Sequence, residues 1–119
     1  MALTILLPYA TLLECRLDTT VIISDNKDIR RIGDITKLFW DHGWDFLKAH
    51  LPAEKDNSWW ETVQTIAENF NWDLYRTPSM PAVRPFEGTL EFYQGGGNHR
   101  AMALALRRGH EEIPVTLNL

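Results

Sequence analysis

At 119 residues the chain is long enough to bury one core without staples, and 45% hydrophobic with 24% charged residues excludes wholesale disorder. A formal charge of −4 lacks the basic footprint of a protein that holds duplex DNA. The lone Cys15 excludes an intrachain disulfide and a cysteine metal set, and the apolar opening is too short to span a bilayer, so a soluble, cytoplasmic single domain is expected.

In chain order, residues 3–7, 11–17 and 20–23 read as strands, being aliphatic and β-branched, with Pro8 stopping the first. From Asp28 to about His42, Ile29, Ile32, Ile35, Leu38 and Phe39 recur at helical spacing. Gly33 interrupts that pattern and can split it, with Asp34 capping a second helix, and Gly43 fits a C-cap. Trp44 to Leu51 forms a further short helix ended by Pro52. Ser58 and Glu61 match a capping box, and the helix behind them runs to about Phe70 with Val63, Ile66, Ala67 and Phe70 on one face. Residues 71–81 read as irregular, broken by Pro78 and Pro81. Residues 82–86 and 89–94 suggest a hairpin turning at Glu87-Gly88, with Pro85 placing the first strand at an edge. A final helix ends at Gly109, and residues 113–119 close the chain as a strand.

The chain is organised around the stretch between the last two strands, where Gly95, Gly96 and Gly97 precede Asn98, His99 and Arg100. Consecutive glycines let a ligand approach backbone without a Cβ in the way. Asn98 is a good N-cap, and the helix it opens would add first-turn N–H groups and the positive end of its dipole. With His99 and Arg100 these features describe an anion site, most naturally for phosphate. The pattern is neither a Walker A loop nor the dinucleotide fingerprint. A plain strand-to-helix turn, with His99 and Arg100 solvated or paired to carboxylates, explains the same residues without a ligand.

Residues 59–119 resemble the core of the ParB/sulfiredoxin-like superfamily. The resemblance rests on a helix at 61–70, then Met80-Pro81-Ala82-Val83-Arg84-Pro85, then Leu90 through Gly97-Asn98-His99-Arg100, then Gly109 and the closing Ile113-Pro114-Val115. It implies an α+β, or mixed α/β, domain with a mixed sheet flanked by helices. Residues 58–119 would form the core and residues 1–57 an elaboration of the same sheet. It also implies that His99 and Arg100 hold nucleotide phosphates, with ATP or CTP and Mg²⁺ as the natural ligands. Asn98 stands where sulfiredoxins carry their nucleophilic cysteine, which excludes their thiol chemistry. The acidic and first basic residues of the ParB loop are replaced by Asn98 and His99, and its downstream DNA-reading helices have no counterpart here, so no duplex-DNA clamp is expected. The Asp that precedes the glycines in kinase and nuclease relatives is replaced by Gln94 and Gly95.

Two function classes follow. The first is a phosphoryl-transfer enzyme, NTPase or nuclease working through Gly95 to Arg100 on a nucleotide or phosphorylated small molecule. His99, Arg100 and Glu91 are its catalytic candidates, and Glu61 and Glu87 are further carboxylates for a metal or base; the metal ligands stay open. The second is an interaction factor of inhibitor, immunity or antitoxin type that binds a protein partner without catalysis. His42, His50 and His110 show no metal-ligand spacing. Arg107 and Arg108 suit a helix C-terminus, and Arg84 suits the surface. Trp59 and Trp60 could stack a base, or divide between core and rim.

Overall fold

The computed structural model describes residues 2–17, 31–51, 58–77, 79–92, 97–107 and 112–119. It is an α+β domain built on one mixed five-stranded sheet of order β1-β5-β3-β4-β2. The strands are β1 (Ala2–Pro8), β2 (Arg16–Leu17), β3 (Ala82–Phe86), β4 (Thr89–Phe92) and β5 (Glu112–Asn118). The helices are α1 (Tyr9–Glu14), α2 (Ile32–His42), α3 (Trp44–His50), α4 (Trp59–Glu68), α5 (Trp72–Arg76) and α6 (Asn98–Leu106). The first half of the chain supplies both edges of the sheet. β1 runs antiparallel to β5, and β2 runs parallel to β4.

Residues 11–17 are not one strand. Leu12 and Cys15 are both buried and lie three residues apart, a helical period, and the Tyr9 hydroxyl on the same turn donates to the Ala105 carbonyl. The stretch therefore turns as α1 and extends only over Arg16 and Leu17. The strand expected over 20–23 lies outside the described residues, as do residues 28–30. From Ile32 onward α2 is one helix that Gly33 does not split. The Arg31 amide donates to the Asp34 carboxylate at 3.0 Å, so Asp34 serves at the third position of this helix instead of capping a second one. Gly33 is there for closeness, since a Cβ would stand 2.9 Å from the Leu13 carbonyl oxygen and 3.2 Å from its Cβ.

Ser58 precedes α4, but its side chain makes no capping hydrogen bond. Its φ of −90° and ψ of 3° are not the extended backbone that a capping side chain needs. Within the stretch read as irregular lies α5, capped by Asn71, whose side chain accepts from the Asp73 amide at 2.7 Å. Pro85 does not put β3 at an edge. β3 is central, but its pairing with β5 covers only Ala82 and Val83, so Pro85 sits beyond that ladder and meets Leu90 of β4. The hairpin turn takes Glu87 and Gly88 through positive φ, 46° and 81°.

The core lies between the sheet and the helices, around α6. All six residues from Ala101 to Leu106 are buried, and α6 touches α1, α2 and α4. Small alanines permit this crowding, and a helix enclosed on all sides needs no polar face. Among the described residues no helix is long and apolar enough to cross a membrane.

Two outcomes follow from this packing. Gly33→Ala should lower stability by about 1–3 kcal/mol in urea denaturation, because the added methyl meets the α1 backbone. The buried Cys15 thiol, which donates to the Thr11 carbonyl at 3.3 Å, is pushed up to about 12 by burial and secondarily by Glu14. The folded chain thus holds that proton more tightly than the unfolded chain. This contribution to stability is complete below the ordinary value of 9.0 and is lost as pH rises to about 12, which pH-dependent melting would show.

Candidate functional site

The glycine loop is represented among the described residues by Gly97, because Tyr93, Gln94, Gly95 and Gly96 lie outside them. Gly97 is the N-cap of α6, with φ 87° and ψ 33°, and Asn98 is the first helical residue instead of the cap. The left-handed backbone favours glycine, and so does the space. A Cβ at Gly97 would stand 2.9 Å from the Pro81 Cα and 2.9 Å from an Arg100 guanidinium nitrogen. The first bond of the helix runs from the Ala101 amide to the Gly97 carbonyl at 3.0 Å. The amides of Asn98, His99 and Arg100 come ahead of it, at the positive end of the helix dipole.

His99 and Arg100 work on different neighbours. The His99 imidazole is half-buried and lies over Trp59 at the start of α4, with ring centroids 5.0 Å apart and planes inclined by 35°. The Arg100 guanidinium reaches the other way along the chain. Its Nη1 donates to the carbonyls of Tyr75 at 2.7 Å and Thr77 at 3.0 Å, and to that of Ser79. One cation thus gathers three carbonyls of the segment joining α5 to β3. Burial shifts the Arg100 pKa down while Tyr75 pulls it the other way, and a guanidinium stays charged at neutral pH regardless. Tyr75 is itself buried, donates to the Pro114 carbonyl at 2.7 Å, and has its phenol pKa raised, first by burial and against the pull of Arg100 and Arg76.

The third catalytic candidate, Glu91, is 3% exposed at the end of β4 and accepts from Arg84 Nη2 at 3.1 Å. Arg84 pairs with it across the β3–β4 ladder, so both side chains lie on the sheet face opposite Val83 and Phe92. Arg84, expected at the surface, is half exposed there and pairs with this buried carboxylate. Glu87 pairs with Arg16 at 3.0 Å, and Glu61 is exposed on the first turn of α4. Trp59 and Trp60 are 4% and 2% exposed. Both belong to the core, which rules out the base-stacking platform considered for them. Among the described residues no group of three His, Cys, Asp or Glu could hold a metal ion. His42 stacks on Phe46 and His50 meets the same ring at a tilt, at 4.3 Å and 4.4 Å between centroids, while Arg108, Gly109 and His110 lie outside the described residues.

Two features were missed in the sequence. Arg107, just past α6, donates to the Ala67 carbonyl at 2.6 Å and lies over the Phe70 ring. It serves the C-terminal turn of α4, where a cation is favoured, as well as following its own helix. A cleft of about 260 Å³ opens between α4 and α5, lined by Thr65, Ile66, Asn69, Asn71, Leu74 and Arg100. Neither has a sequence signal, since both depend on how α4, α5 and α6 meet.

Compared with protein-family models, curated proteins and solved structures, the chain matches none.

The Arg100 contacts give a stability expectation that does not involve a ligand. Arg100→Met keeps the length of the side chain and removes its donors, and should cost about 1.5–3 kcal/mol in chemical denaturation. Unchanged stability would mean that the carbonyls find equal partners in water.

Proposed function

We propose that this chain binds a phosphorylated ligand, a nucleotide most naturally, at the head of α6, with His99 as the ligand-contacting side chain. The observation that carries the reading is the start of α6. A left-handed glycine against Pro81 leads directly into first-turn amides, and the residue two positions on is His99, whose half-buried ring lies over Trp59. Kinship to the ParB/sulfiredoxin-like superfamily is part of the proposal. Its support is the order α4, β3, β4, α6, β5 and the motif residues quoted above. That kinship makes ATP and CTP the first ligands to try, with Mg²⁺ carried on their phosphate oxygens. Residence in a reducing cytoplasm belongs to the same proposal, in keeping with the free thiol of Cys15.

The site supports binding ahead of turnover. Arg100 is engaged with backbone carbonyls and Glu91 with Arg84, so two of the three catalytic candidates already have structural work. Phosphoryl transfer, NTP hydrolysis or nuclease action would be an extension of binding at this place. The second reading, a protein-interaction factor, is favoured by the exposed Leu74, which is 63% accessible at the mouth of the α4–α5 cleft.

Thermal denaturation tests the first reading. ATP or CTP with Mg²⁺, at about a hundredfold excess over Kd, should raise Tm by about 5 °C or more in the wild type. His99→Ala should remain folded and lose that shift. No shift with ATP, CTP, GTP or inorganic phosphate, or an equal shift in His99→Ala, contradicts the proposal.

A further inference from the structure

We draw no further inference here: the strongest candidate, the cleft between α4 and α5 walled by Ile66 and Leu74, is an apolar groove, and nothing in the structure shows what covers it.

Discussion

One guanidinium holds the site region together. Arg100 rises from the first turn of α6 and gathers the carbonyls of Tyr75, Thr77 and Ser79, which draws the connection from α5 to β3 around the head of the helix. Gly97 lies against the same group on one side and Pro81 on the other, with no room for a side chain. Pro81 in turn accepts from the Thr116 amide at 3.0 Å, which ties the entry of β3 to β5. The start of the central helix, the approach to the central strand and the last strand thus share one small region. These charge-assisted bonds, shared by the two N–H groups of Nη1, fix geometry better than apolar contact because each N–H has a preferred direction.

That arrangement changes what the His99-Arg100 pair means. Adjacent basic residues after glycines suggest two phosphate ligands, but neighbouring residues on a helix point about 100° apart. Here the imidazole goes to Trp59 and the guanidinium to the α5–β3 connection. The guanidinium is engaged by the α5–β3 connection, so the proposed ligand contact falls to the imidazole. Because α6 is enclosed on every side, its head is held by the core as well as by Arg100.

Much of the fold was legible in the sequence because it follows local periodicity. β1, the later part of α2, α3, α4, the β3–β4 hairpin and β5 all occur where spacing and turn residues put them. The misreadings come from positions where two local rules compete or where tertiary contacts decide. Leu12, Leu13 and Cys15 suit a strand by composition, but the burial of Leu12 and Cys15 on one side of a turn made α1. The Asn71 cap was hidden by the prolines that follow it. Pro85 was read by a rule about edges, yet a central strand tolerates it past the end of one ladder. Asn98 looked like a cap by residue type, while the left-handed backbone and the crowding at Pro81 gave that position to Gly97. The candidate residues stand together in the sequence as a motif. Their partners do not, because the carbonyls that hold Arg100 come from residues 75–79, and the arginine that pairs with Glu91 comes from the next strand.

The most direct test of this account is a backbone amide NMR titration of the ¹⁵N-labelled chain with ATP-Mg²⁺, with inorganic phosphate in a parallel series. The account predicts that the largest saturable shifts fall on Gly97, Asn98, His99 and Arg100, while the amides of Tyr75 and Thr77, which donate to the Asn71 and Leu74 carbonyls, stay in place. Saturable shifts centred on another surface, with the head of α6 unmoved, would contradict it.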